Sequence, residues 1–457
     1  MSFAFDLTDP QLWRTLPAAQ QPAWPDRGEL AAVTARLQLA LPLVFPAECD
    51  RLTRRLAAVA NGDAFLLQAG DCAESFYATS ANSAQNTVAT MRQMAVVLGY
   101  ALSSPVVLLA RMAGQYAKPR SAPTETRGGL ELPVYRGDAV NGSEFDAAAR
   151  TPDPHRMLQA YHASATGLNV VRELNSGRYT SLRQLQAANE RFVSTRAHHR
   201  PVSDAIGRAI AFLSATLDLP DVEPGPVFVS HEGLLLDYES ALTRVDAVSG
   251  RSYATSGHLL WIGERTRAVD GAHVEFFRTL ANPIAVKVGP GMTPDELSAL
   301  IDRLDPDGIP GRLTLITRMG ADRIRDVLPA LVESVRADGR TVGWVCDPMH
   351  GNTLRAPSGH KIRRLGDIVR EVKGFFEVHR AFGTHPGGIH VELTGDDVTE
   401  CVGAGVSPAE VPSRYQSVCD PRLSRDQALD LAFQLAGLES GSSIERASSD
   451  LVAMPSL

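Results

Sequence analysis

The 457-residue chain has little cysteine, and what it has is scattered: Cys49, Cys72, Cys346, Cys401 and Cys419, an odd number without regular spacing. That excludes a disulfide framework and points to a reducing compartment. No apolar run approaches the roughly 18 residues needed for a membrane-spanning helix. The first residues include Asp6, Asp9 and Arg14 and contain no sustained apolar stretch. They fit neither a secretory signal nor a basic, acid-poor transit peptide, so the expected location is cytoplasmic. An excess of positive charge is missing too. With a net charge of −7, no nucleic acid and no membrane is expected as a partner, and any cationic patch must be local. A basic pocket in an acidic protein suggests a small anionic ligand.

What is present is a pattern. From residue 61 onward, short runs rich in Val, Ile and Leu recur with helical stretches between them, the signature of βα units and a parallel sheet. Eight such runs start at Phe65, Pro105, Val227, His258, Ile284, Leu313, Val342 and Ile389. Eight closes a parallel barrel, so the expected fold is an α/β (β/α)8 TIM barrel over residues 61–438. Before it, residues 1–60 read as a proline-broken arm with two short helices, around Leu30 to Leu39 and Glu48 to Val59. Strands two and three are separated far beyond the needs of one loop and helix. The gap is read as a helical insertion at about 145–220, with helices near Pro154 to Leu174, Ser181 to Ser194 and Val202 to Leu217. After the eighth run a short helix is expected from about Asp396 and a capped one from Ser424 to Ala436, followed by a disordered serine-rich tail, 439–457.

The C-terminal ends of barrel strands carry the active site. The residues found there are Cys72, Arg111, His231 with Glu232, Glu264 with Arg265, Lys287, Arg318, Asp347 with His350, and Glu392. Singly, each has an ordinary explanation: a free cysteine is usually a small buried hydrophobe, and a lone basic loop such as Arg111 to Ser121 is often only solvated. Together they would converge in space. The cations Arg111, Lys118, Arg120, Arg265, Lys287 and Arg318 suit phosphates and a carboxylate. Cys72, His350, Glu392 and Asp420 mix thiolate, imidazole and carboxylate donors and suit a divalent first-row metal, which the sequence does not specify.

The blocks Gln68-Ala-Gly-Asp-Cys-Ala-Glu74, Gly114-Gln-Tyr-Ala-Lys-Pro-Arg-Ser121, Trp261-Ile-Gly-Glu-Arg-Thr-Arg267, Cys346-Asp-Pro-Met-His-Gly-Asn352, Thr384-His-Pro-Gly-Gly-Ile-His-Val-Glu392 and Cys419-Asp-Pro-Arg422 resemble those of the class II (plant-type) 3-deoxy-D-arabino-heptulosonate 7-phosphate (DAHP) synthases, as do Ser230-His-Glu232, Val286 to Pro290 and Arg318-Met-Gly320. The resemblance implies a metal-dependent, aldol-like condensation of phosphoenolpyruvate with erythrose 4-phosphate, the first step of the shikimate pathway. It implies that Cys72, His350, Glu392 and Asp420 hold the metal, usually manganese (Mn2+), with cobalt (Co2+) or zinc (Zn2+) as alternatives. It assigns Arg111, Lys118, Glu264, Arg265, Lys287 and Arg318 to phosphoenolpyruvate, Arg120 and Ser121 to the sugar phosphate, and Asp347 and Lys361 to the sugar hydroxyls. Lys118 or a metal-bound water would donate the proton, and Glu232 would orient the attacking water.

The arm and the insertion are where such enzymes place subunit contacts and aromatic amino-acid feedback, so a homodimer or homotetramer and a chorismate mutase partner are expected. Cys419 beside Asp420 suggests a reversible, inactivating disulfide with Cys72. Three alternatives remain open at this point: a relative acting on an aminated sugar phosphate, a phenazine-pathway enzyme making the ordinary product, and an inactive regulatory barrel.

Overall fold

The structure is a computed structural model that describes residues 11–77, 81–176, 181–217 and 225–437. The apolar runs form eight strands: β1 (Phe65–Gly70), β2 (Val106–Arg111), β3 (Val227–Glu232), β4 (Leu259–Ile262), β5 (Ile284–Val288), β6 (Leu313–Thr317), β7 (Gly343–Cys346) and β8 (Gly388–Glu392). They close, every pair parallel, in the order β1-β8-β7-β6-β5-β4-β3-β2. This is a (β/α)8 barrel.

Side chains alternate across each strand. One set, including Leu66, Val107, Leu109, Phe228, Trp261 and Val345, shares a cluster that fills the barrel. The other, including Leu67, Leu108, Val229, Leu260, Val286 and Ile389, packs outward on the helices. Because the period is two, the inward set continues into the site. Counting on from Leu109, Phe228 and Ala285 reaches Arg111, Glu232 and Lys287, and Glu392 follows in the same way from Gly388.

The arm contributes to this core. Helix α1 (Arg27–Leu39) starts a turn earlier than its apolar pattern suggests, because Asp26 caps it by accepting from the amides of Gly28 at 2.7 Å and Glu29 at 3.0 Å. Helix α2 (Pro46–Asn61) begins with proline at its first turn and ends at Gly62, whose φ of 89° is the left-handed cap. Its Leu52, Leu56 and Val59 are buried in the same cluster as the barrel interior and plug its N-terminal end, at roughly 2 kcal/mol each.

In the long connection, α4 (His155–Leu174) lies beside α3 (Ala81–Leu102), the helix that joins β1 to β2, and Leu168, Val171 and Leu174 enter the outer core. Helices α5 (Leu182–Val193) and α6 (Arg200–Leu217) pair with each other, with Ser181 and Gln184 forming a capping box at the start of α5. The helix over 425–437 is capped by Ser424 and sends Leu429, Ala432 and Phe433 inward. The expected tail 439–457 lies outside the described residues.

The expected helix from Asp396 does not form. Local side chains take the backbone groups instead: the Thr394 hydroxyl accepts from the Asp396 amide, and Thr399 bonds to the Val411 carbonyl and the Arg414 amide. Residues 403–405, all at positive φ, then turn the chain. Sequence periodicity also missed the hairpin Thr124–Arg127/Leu130–Pro133, whose strands are too short and exposed to carry an apolar alternation. Among the described residues, no helix is long and apolar enough to cross a membrane.

Candidate active site

Register decides which charges meet. Gly70, the last residue of β1, is paired with Arg111 on one side and Glu392 on the other. The two side chains join across it, Arg111 Nη2 donating to Glu392 Oε1 at 2.8 Å. Gly70 has φ of 139°, and a Cβ there would stand 2.7 Å from the Arg111 carbonyl oxygen, so only glycine fits.

Glu392 is fully buried and surrounded by cations. Oε1 also meets Lys118 Nζ and His350 Nε2, each at 3.2 Å, while Oε2 accepts from Arg363 Nη1 at 2.7 Å. Burial opposes its charge, but His350, Lys118, Arg363 and Arg111 outweigh burial and hold its pKa well below the usual carboxylate range. Lys118 also pairs with Asp420 Oδ2 at 3.0 Å, and Lys361 with Asp420 Oδ1 at 2.8 Å. Burial works against the Lys118 ammonium, yet Glu392 and Asp420 raise its pKa above the ordinary lysine value. Lys287 differs: burial is its largest influence and lowers it to about 8, although Asp347 sits 2.6 Å away. Asp347 in turn receives His350 Nδ1 at 2.7 Å. Burial raises the pKa of Glu232, and among the described residues its buried Oε1 has no partner.

Above this layer lies a cavity of about 200 Å3. Of the residues singled out from sequence, Arg111, Lys118, Arg120, Ser121, Glu232, Glu264, Arg265, Lys287, Arg318, His350, Lys361 and Asp420 all line it. Asp347 and Glu392 are buried beneath, touching the lining residues rather than the space. Among the described residues, Arg120, Arg265 and Arg318 have no carboxylate partner. Arg265 Nη2 donates to Ser121 Oγ at 2.5 Å, Arg318 Nη2 to the His350 carbonyl at 3.0 Å, and Arg120 Nη1 reaches only Cys419 Sγ at 3.9 Å. His231 points the other way, out of the barrel, where its Nε2 meets Glu239 Oε1 at 2.8 Å.

His350, Glu392 and Asp420 offer ligand atoms within 4.8 Å of one another. Cys72 is outside this trio; its Sγ is 3.2 Å from Ser417 Oγ. Burial pushes both thiols up, Cys419 to about 11 against the pull of Lys118, and Cys72 further. The two share a small buried cluster as free thiols. One imidazole and two carboxylates fit a divalent cation. The Lys118 ammonium, which bridges the two carboxylates, occupies a place where positive charge is held, so the residues present suit a metal.

Sequence reasoning missed several contributors. Arg363, wholly buried, bonds Glu392 and the Pro421 carbonyl. His390 accepts from Arg111 Nη1 at 2.5 Å and, through Nδ1, donates to Gln68 Oε1 at 2.7 Å. Burial, then Lys287 and Arg111, keep that imidazole neutral, as its acceptor role requires. His390 was visible as the inward position two before Glu392. Arg363 had no such signal. From the arm, Gln20 Oε1 accepts from the Arg120 amide at 2.9 Å.

Known proteins are similar to this chain over most of its length. A phospho-2-dehydro-3-deoxyheptonate aldolase from Streptomyces coelicolor is 57% identical over 430 residues, covering 93% of this chain and 96% of the relative. Another, from Mycolicibacterium smegmatis, is 47% identical, covering 92% of each. The crystal structure of a phospho-2-dehydro-3-deoxyheptonate aldolase (DAHP synthase) from Thermotoga maritima matches with a TM-score of 0.38 at 13% identity, over 83% of this chain and 70% of that one. Residues 8–436 match the class-II DAHP synthetase family. With that match spanning the arm, the barrel and the cavity alike, the chain belongs to the class-II DAHP synthetase family.

Proposed function

We infer that the chain condenses phosphoenolpyruvate with D-erythrose 4-phosphate and water, giving 3-deoxy-D-arabino-heptulosonate 7-phosphate and inorganic phosphate. The observation that carries this reading is the cavity itself: three guanidinium groups without carboxylate partners among the described residues face it, and a His350, Glu392 and Asp420 donor set lies at its floor. Arginine forks of this kind match phosphate and carboxylate oxygens in pairs.

In this reading Arg111, Lys118, Arg265, Lys287 and Arg318 receive phosphoenolpyruvate, with the Glu264 backbone near its carboxylate. Arg120 and Ser121 take the phosphate of the sugar, and Lys361 and Asp347 act on the hydroxyl side. A divalent ion held by His350, Glu392 and Asp420, with Cys72 as a further donor, would polarise the aldehyde; manganese is our assignment. C3 of phosphoenolpyruvate attacks that aldehyde carbon, and Lys118 passes a proton to the alkoxide formed. Water, oriented by Glu232, adds at C2, and the resulting phosphohemiketal loses phosphate. The names of the two bacterial relatives favour erythrose 4-phosphate over an aminated analogue. A cytoplasmic enzyme fits the free thiols. The exposed Leu39 at the end of α1, with Leu41 and Phe45 between α1 and α2, suits a subunit contact in a homodimer or homotetramer, or docking of a chorismate mutase.

The deciding experiment measures phosphate release from phosphoenolpyruvate. Release should require erythrose 4-phosphate, stop after chelation and dialysis, and return with Mn2+. Release without the sugar, or activity indifferent to chelator, would rule the reading out. Within the site, Arg120→Ala should raise the Michaelis constant for erythrose 4-phosphate by about tenfold to a hundredfold, the loss of a charge-assisted hydrogen bond. Its kcat and its constant for phosphoenolpyruvate should change little. An equal effect on both substrates would remove the assignment of Arg120.

A further inference from the structure

We propose that three buried glutamates, Glu74, Glu371 and Glu400, are positioning residues, each fixing one site-bearing loop by collecting its backbone N–H groups. None of the three lines the cavity, and none is more than 4% exposed. Glu74, beyond β1, accepts from the amide of Ala113 through Oε1 at 2.8 Å and from those of Gly114 and Gln115 through Oε2 at 2.9 and 2.8 Å. These amides open the segment that carries Lys118 and Arg120. Glu371, on helix α7 (Leu365–Phe382), accepts through Oε1 from the amides of Met319 and Gly320, both at 2.8 Å, next to Arg318. Its Oε2 accepts from Asn352 Nδ2 at 2.7 Å, two residues beyond His350. Glu400 accepts from the amides of Gln416, Ser417 and Arg422, which bracket Cys419 and Asp420.

The common pattern has a physical reason. Loops at the mouth of a barrel have no neighbouring strand to receive their amides, and buried amides must be paired. Successive N–H groups on a turning backbone converge and favour an anion. A carboxylate is acceptor-only, with about four lone-pair sites. Its glutamine isostere has one oxygen, and its amide nitrogen would face donors. A loop held this way presents its cation or metal ligand without using a charge that faces substrate, which keeps the positioning carboxylates apart from the substrate-binding cations.

The inference rests on the site reading above, and the test separates the two. Glu74→Gln, Glu371→Gln and Glu400→Gln are purified, their melting temperatures recorded, and kcat, both Michaelis constants and Mn2+ affinity measured. Because each loop carries different groups, each variant should have its own signature. Glu74→Gln should raise the constant for erythrose 4-phosphate and lower kcat. Glu371→Gln should raise the constant for phosphoenolpyruvate and weaken Mn2+ binding. Glu400→Gln should weaken Mn2+ binding. Each change should be about tenfold.

Asn352→Asp added to Glu371→Gln should recover part of the Glu371→Gln loss, because it places an acceptor opposite the new amide nitrogen, at the cost of the bond that Asn352 Nδ2 donates to the Pro348 carbonyl at 2.8 Å. Each substitution alone leaves like facing like. Uniform loss of kcat in step with the folded fraction, or unchanged kinetics in all three, overturns the proposal. If Arg120→Ala has its expected effect while Glu74→Gln has none, the clamp fails and the site reading stands. If Arg120→Ala has no effect on the sugar phosphate, it is the site reading that fails.

Discussion

Lys118→Met is expected to lower kcat by about a thousandfold even with both substrates saturating, beyond any rise in the Michaelis constant for phosphoenolpyruvate, since a positioned proton donor supplies roughly 10²–10⁴ of rate. Lys118 is held at one spot by three acceptors: Glu392 Oε1, Asp420 Oδ2 and the Cys72 carbonyl, at 3.2, 3.0 and 3.3 Å. Burial works against its charge, but Glu392 and Asp420 raise its pKa and favour the protonated form. Removal of a charge here also leaves Glu392 and Asp420 facing each other, so the methionine variant alone mixes chemistry with electrostatics. Lys118→Arg separates them. Arginine restores the charge between the carboxylates, but as a planar group that does not release its proton. Low kcat in both variants with both substrates saturating supports proton donation. Recovery in the arginine variant assigns Lys118 to charge compensation, and near-normal turnover in the methionine variant removes it from the chemistry altogether.

Glu392→Gln should be the most damaging single change to the fold of the site. The carboxylate is the common counter-charge for Arg111, Lys118 and Arg363, and it also meets His350. Arg111 and Arg363 are both buried, and each would keep its charge without its carboxylate partner. Truncating one side of a buried ion pair costs about 3–5 kcal/mol, and here several pairs share one partner. Thermal denaturation should show a clearly lower transition, and Mn2+ retention after dialysis should fall. Wild-type thermal stability together with wild-type metal content would contradict this account. The sign of the acid response follows from the same group. Its folded-state pKa lies below the usual carboxylate value, so its stabilisation is present at neutral pH. That contribution is lost only as the pH falls through the acid range.

The barrel was legible in the chain because its strands are buried on both faces, and such strands read as short Val, Ile and Leu runs that can be counted. Helix boundaries followed local chemistry, as with Asp26 before α1 and Pro46 opening α2. Where the local rules compete, legibility ended: Thr394 and Thr399 hold a segment with helical composition in loop form by bonding its backbone. Arg363 escaped notice because nothing in Lys361-Ile-Arg-Arg364 distinguishes the buried arginine from the exposed one beside it.

The sequence by itself determined the inventory of this protein: eight strands, a group of cations and metal-competent donors at their ends, and blocks specific enough to indicate the family. Tertiary structure decided which of those charges meet. Closure of β1 against both β2 and β8 puts Arg111 and Glu392 on either side of Gly70, and strand alternation turns Glu232 into the barrel while His231, next to it, faces out. Such pairings depend on register across hundreds of residues. The one-dimensional pattern records that a residue is charged but not which opposite charge the fold brings beside it.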